Sequence, residues 1–316
     1  MICSKKFFSK LFFNGLLIFL IAGFSNLFSQ SLVKNSKEKT IGSISLVFVP
    51  AGSFFMGRTV DGADYSPQRN VHITKAFWIS KYEITQKEYY DVTGTNPCQG
   101  SKYGTGDNLP VYNVSWYEAV VFCNILSEKY GLESYYKISK DEDRDNISDY
   151  DDVKWTVTIN EDANGFRLPT EAQWEYACSA GKRERFFWGG NSSWNGSGEY
   201  AWHLFNSGVK SYSKGRFWWV KYHTVKPVGK KRPNPFGIYD MAGNVAEWCF
   251  DRYEYNYYSS GDDIDPMGWQ GQYKYRVVRG GDILNAPEEL ESFRRWQFAP
   301  FEKSGLHGIR LVLPAE

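Results

Sequence analysis

Two carboxylates, Asp240 and Glu247, flank a glycine turn in the segment Tyr239-Asp240-Met241-Ala242-Gly243-Asn244-Val245-Ala246-Glu247-Trp248. With the backbone carbonyls of Gly243 and Val245 they offer oxygen donors of mixed kind, which suit the hard calcium ion. The same residues also fit a tight glycine turn feeding a packed Trp248. Soft-metal and nucleophilic chemistry has less to work with. Cys98, Cys123, Cys178 and Cys249 are far apart and form no C-x-x-C pair. Cys123 and Cys178 fall inside helical patterns and read as small buried hydrophobes. No two of His72, His203, His223 and His307 stand at helical i, i+4 spacing. His307 with Asp282 is one candidate metal pair; the alternative is an exposed loop histidine. Arg167 and Glu171 could be catalytic; the favoured alternative is a structural role as anchors of a helix start.

These residues need elements to hold them, and three helix starts are explicit. Thr85 with Glu88, Ser115 with Glu118 and Thr170 with Gln173 each match the capping box. The helix after Ser115 presents Ala119, Val120, Cys123, Leu126 and Tyr130, then stops at Gly131. The helix after Thr170 carries Trp174, Ala177 and Cys178 on one side and stops at Gly181. Residues 46–49, 54–57 and 71–82 read as strands. Residues 139–152 read as a solvated acidic loop without EF-hand spacing. No repeat and no Gly/Pro/Ser linker divides the chain, so one α+β domain of about 270 residues is expected.

Composition narrows the class. Phe, Trp and Tyr number 22, 12 and 22 among 316 residues, a richness in aromatics that disordered chains lack. The net charge is +1, and Lys5, Lys6 and Lys10 all sit in the first 29 residues, where there is no acid. A near-neutral body argues against nucleic acid as a partner, because phosphate binding needs a concentrated positive field.

Residues 1–29 read as a secretory signal: three lysines, an apolar run over 16–24 and the small Ser29. The run is shorter than the about 20 residues of a membrane span, although an uncleaved anchor is the alternative. Cys3 precedes the run, so it is no lipid-attachment point after cleavage. The expectation is a signal over 1–29, a mobile leader over 30–45 and a domain over 46–316. The product is exported to the periplasm, cell surface or medium, with no membrane span once the signal is removed.

Four ordered segments carry a family resemblance. They are Val49-Pro50-Ala51-Gly52-Ser53-Phe54-Phe55-Met56-Gly57, the run from Gly165 to Ala177, the turn segment above with Pro227-Val228-Gly229 before it, and Arg279-Gly280-Gly281 closing with Gly308-Ile309-Arg310-Leu311-Val312. Together they resemble the sulfatase-modifying-factor family, whose type member is the formylglycine-generating enzyme. The resemblance implies a C-type-lectin-like α+β fold, loop-rich and of one domain. It implies calcium at Asp240, Gly243, Val245 and Glu247. A second family calcium site would start at Asn206 and Ser207, but an insert over about 208–223 displaces its other ligands.

Active members of the family carry two cysteines in the fourth segment, which bind copper and activate oxygen; soft thiolates suit Cu(I). Counted from Gly281, those positions fall on Asn285 and Leu290. The serine that follows the two glycines in the family is Asp282 here, and the first tryptophan of the third segment is Ala246. No catalytic residue is therefore expected, and copper is not. The iron-dependent relatives take histidines from an N-terminal helical domain for which this chain has no room.

What remains is a surface segment with Asp282, Asn285, Arg294, Trp296, Phe298, Phe301 and His307, of residue types that make binding hot spots. Trp296 and Phe298 packed under the loop is the alternative. The expected function is an exported, non-catalytic binding or scaffold protein, braced by calcium, with a protein or glycan ligand. An oxidoreductase with a different metal-ligand set, or a subunit of an envelope assembly, stands against it.

Overall fold

A computed structural model describes residues 38–144, 151–189, 196–213, 217–271, 275–303 and 305–315. The expected signal and the first part of the expected leader lie outside the described residues.

The chain begins with β1 (Glu38–Ile41), β2 (Ile44–Val49), β3 (Gly52–Met56), β4 (Arg69–Ile73) and β5 (Phe77–Ser80). Helices α1 (Gln86–Thr93) and α2 (Trp116–Lys129) follow, then β6 (Tyr136–Glu142), β7 (Trp155–Ile159) and helix α3 (Glu171–Ser179). The remainder holds β8 (Gly208–Ser213), β9 (Phe217–His223), β10 (Ala246–Arg252), β11 (Arg276–Arg279), β12 (Trp296–Phe298), β13 (His307–Gly308) and β14 (Val312–Pro314). One sheet runs β1-β2-β5-β14 and is antiparallel, so the last strand lies beside an early one. A second runs β12-β11-β10-β13, with β13 parallel to β10. Three hairpins, β3-β4, β6-β7 and β8-β9, stand outside them.

All three capping boxes form, with Thr85, Ser115 and Thr170 as caps. The two strand regions near 46 and 54 are β2 and β3, and the region 71–82 splits into β4 and β5. Two expectations are corrected. From residue 38 the leader is a strand: β1 pairs with β2 from Glu38↔Val47 to Ile41↔Ile44, turning at Gly42 with φ 60°. The acidic run is not all loop either. Its start belongs to β6, where Tyr136 and Ile138 turn inward while the charged residues face water. Asp151 is buried and accepts from Tyr117 Oη at 2.7 Å. The insert after Ser207 is the β8-β9 hairpin.

Helix α3 is buried on every side, not on one. That requires its acids to be paired, since an isolated buried charge is costly. Glu171 accepts from Arg295 Nε at 2.7 Å and Nη2 at 3.0 Å, and Glu175 pairs with Arg279. Arg167 Nη1 donates to Gln173 Oε1 at 2.8 Å. Arg167 and Glu171 are thus anchors, as read. Asp251 Oδ2 accepts from the Glu171 N–H at 2.7 Å, and burial, then the Glu171 charge, push its carboxyl up to about 8. A raised folded pKa means stability that is full below the unfolded value and is lost as pH rises through the folded one. Asp251→Asn keeps the acceptor and removes the titration. The variant should gain on the wild type in urea midpoint between about pH 4 and about pH 9. A pH-independent difference would contradict the assignment.

Candidate functional site

Strand β11 hands the chain to Gly280 and Gly281, at φ 91° and 68°. A Cβ on Gly281 would stand 2.7 Å from Leu290 Cδ2, 3.0 Å from Asn285 Oδ1 and 3.2 Å from Trp296 Cη2. Glycine alone suits both that angle and that space. Asn285 and Leu290, where the resemblance leads one to expect the thiols of active members, therefore meet side by side over Gly281.

Neither offers a nucleophile or a soft ligand. Leu290 is buried in an apolar cluster with Trp174, Cys178 and Cys249. Asn285 is tied into its loop: Oδ1 accepts from Asp282 N at 2.9 Å, and Nδ2 donates to Glu289 Oε2 at 3.3 Å. Asp282 Oδ1 accepts from Leu284 N at 2.7 Å, and burial pushes its carboxyl up to about 6. The four described thiols are free and buried. Burial pushes Cys98 and Cys178 up to about 12 and raises Cys123 and Cys249 as well. None is a thiolate at neutral pH, and the thiolate is the reactive form.

The rest of the expected ligand surface is partly interior. Arg294 is half-buried, and Trp296, Phe298 and Phe301 are half-buried against the core. The exposed-loop reading of His307 is corrected. His307 is not an exposed loop residue. It lies in β13, buried, with Phe298 at 3.9 Å and Trp248 at 5.1 Å between ring centroids. Its Nδ1 has no hydrogen-bond partner, and burial lowers its pKa to about 4. Among the described residues no three His, Cys, Asp or Glu side chains gather as a metal site.

The expected calcium ligands divide. Asp240 is 2 % exposed; Oδ2 accepts from Gly229 N at 2.7 Å, while Oδ1 is buried with no partner. An orphaned carboxylate oxygen fits a hard cation. Glu247 does not fit, because Arg310 and Trp174 Nε1 hold both of its oxygens. Gly243 is required where it stands, since a Cβ there would be 2.0 Å from Trp202 O. Val245 donates its N–H to Glu83 Oε1 at 3.0 Å. Asn206 and Ser207 serve their own loop. Asn206 Oδ1 accepts from His203 N at 2.7 Å, and Ser207 Oγ donates to Ile283 O at 3.0 Å.

Sequence reasoning missed Glu83 and the partners of Arg310. Glu83 is buried, accepts from Asn244 Nδ2 at 2.7 Å, and its pKa is raised well above the usual range by burial, then by Asp240 and Glu247. Three carboxylates thus surround one buried arginine. Arg310, Asp240 and Glu247 all lie in the recognised segments, but nothing in the sequence announces that they meet.

A family model for the sulfatase-modifying factor enzyme 1-like domain matches residues 30–315. The chain belongs to this family. The chain is similar to a protein named chaperone protein LppX of Paenibacillus barcinonensis, 42% identical over 240 residues, which are 75% of this chain and 80% of that one. A formylglycine-generating enzyme of Streptomyces coelicolor is 34% identical over 161 residues, 48% of each chain. Among solved structures, Treponema denticola variable protein 1 superposes with a TM-score of 0.71 at 29% identity, covering 89% of this chain and 99% of that one. PvdO from Pseudomonas aeruginosa shares the fold, with a TM-score of 0.64 at 23% identity over 88% of this chain and all of that one. The α+β, lectin-like family fold expected from the sequence is the one found.

Proposed function

We propose that this family member is an exported, non-catalytic binding or scaffold protein. One observation supports the reading: a buried Leu290 and a loop-tied Asn285 meet over Gly281, where the resemblance leads one to expect the two thiols. Asparagine does not replace a thiolate, and leucine offers no ligand at all. The name chaperone, borne by the relative 42% identical, favours a protein partner. Export rests on the basic and apolar pattern of residues 1–29. The test is to incubate the full chain with Cu(I), oxygen and a cysteine-containing peptide, and to read the peptide by mass spectrometry. No formylglycine is expected. Copper-dependent conversion by the wild-type protein would sink the reading in favour of an oxidoreductase with another ligand set.

Calcium enters this proposal at Asp240 Oδ1, with the main-chain oxygens of Gly243 and Val245, and without Glu247. A ligand bound only by the folded state stabilises it. Chelator should therefore lower the melting temperature of the wild type, by several degrees for a ligand worth about 1–2 kcal/mol. Asp240→Asn should melt at one temperature with and without chelator. Equal melting of the wild type in both would remove calcium from the account.

A further inference from the structure

Five arginines are buried among the described residues: Arg69, Arg276, Arg279, Arg295 and Arg310. Four of them have a carboxylate: Asp263 for Arg69, Glu171 and Glu175 for Arg279, Glu171 for Arg295 and Glu247 for Arg310. Arg276 is 9% exposed and has no ion pair among the described residues. Its guanidinium lies 3.6 Å from the centroid of the Trp116 ring, and Nη1 donates to Phe250 O at 2.7 Å. Those contacts fix the group without neutralising it.

Its cross-strand partner adds to the problem. In the β10–β11 register Arg252 stands directly opposite Arg276. Like charges in that position destabilise a sheet. Burial, then the Arg252 charge, lower the Arg276 pKa to about 9. A guanidinium keeps its proton at neutral pH, so the shift records the cost of holding a buried charge beside another of the same sign.

Both arginines line one cavity of about 460 Å³, together with Phe250, Trp269, Gln270 and Glu161. That volume lies within the range of small-ligand pockets, about 300–1,000 Å³. Trp269 is 37% exposed although large and apolar. It is not a loose side chain: a Cβ on Gly271 would stand 2.1 Å from its Nε1, and Gly271 O accepts from Arg252 Nη1 at 3.0 Å. The wall is built, and it presents two cations, one acid and an indole.

We propose that this cavity binds a small acidic sugar. Its carboxylate bridges Arg252 and Arg276, which supply the donor forks that carboxylates accept. The apolar C–H face of the ring lies on Trp269, and Gln270 and Glu161 take hydroxyls. Glu161 limits the fit to a single negative charge. The site shares no residue with the Gly281 loop and stands or falls separately from the function proposed above.

D-glucuronate is titrated into the full chain and followed by calorimetry and thermal shift, with D-glucose as the neutral control. Glucuronate should bind, raise the melting temperature, and outbind glucose at least tenfold. Arg252→Gln should weaken glucuronate tenfold or more while leaving the ligand-free melting temperature equal or higher, because it relieves the facing charges. A merely structural arginine would lower it. Trp269→Ala, at an exposed position, should weaken binding as well. The proposal is overturned by absence of glucuronate binding, by glucose binding as tightly, by unchanged affinity in Arg252→Gln or Trp269→Ala, or by a lower ligand-free melting temperature of Arg252→Gln.

Discussion

Replacing Glu247 by alanine is expected to cost the domain about 3–5 kcal/mol, the usual loss when one partner of a buried ion pair is removed. Arg310 is fully buried, and its Nε reaches the two Glu247 oxygens at 2.9 Å and 2.8 Å, with Nη2 at 2.7 Å. Trp174 Nε1 donates to the same carboxylate at 2.6 Å. Alanine leaves a buried guanidinium without its counter-ion and an indole N–H without an acceptor. Domains of ordinary stability hold only about 5–15 kcal/mol in reserve, so the loss is a large share. It should appear as a lowered urea midpoint with little change in slope. The same measurement in chelator separates the two roles considered for this residue. A structural partner of Arg310 costs as much without calcium as with it. A cost that vanished in chelator would return Glu247 to the calcium ligands.

The second large effect concerns Leu290, where the resemblance leads one to expect a family thiol. Leu290→Ala should destabilise by about 2–5 kcal/mol, as deletions of buried leucine do. Leu290 is 2% exposed and packs over Gly281 among Trp174, Cys178 and Cys249. The position at which the resemblance leads one to expect a thiol is part of the core. The double variant Asn285→Cys with Leu290→Cys should not acquire oxidase activity with copper and a cysteine peptide. Asp282 and Ala246 also depart from the active pattern, and Asp282 is bound into its loop through Leu284 N. Copper-dependent oxidation by the double variant would show that those two positions matter less than argued. A Leu290→Ala variant as stable as the wild type would show that the site remains open.

What could be read from the sequence was what is local. The capping boxes at Thr85, Ser115 and Thr170 formed because each joins residues three apart, with a mechanism that needs no tertiary context. The exposed leader and the acidic loop were misread because polar residues hide a strand whose partner lies across a turn, as Glu38–Ile41 lies against β2. Asp151 reads as solvated from the sequence because nothing nearby in the chain announces Tyr117 as its donor. The ion pairs join residues 63 apart for Glu247 with Arg310 and 124 apart for Glu171 with Arg295. No periodicity reports a pairing of that kind. His307 looked like a loop residue because β13 is two residues long and carries no strand signal of its own.

Total metal content of the protein, purified without chelator or a polyhistidine tag, tests the central claim most directly. The account predicts calcium near one per chain, held at Asp240, with copper and iron far below one. Copper or iron at one per chain would contradict it: the protein would then be an oxidase with a ligand set that Asn285 and Leu290 do not supply.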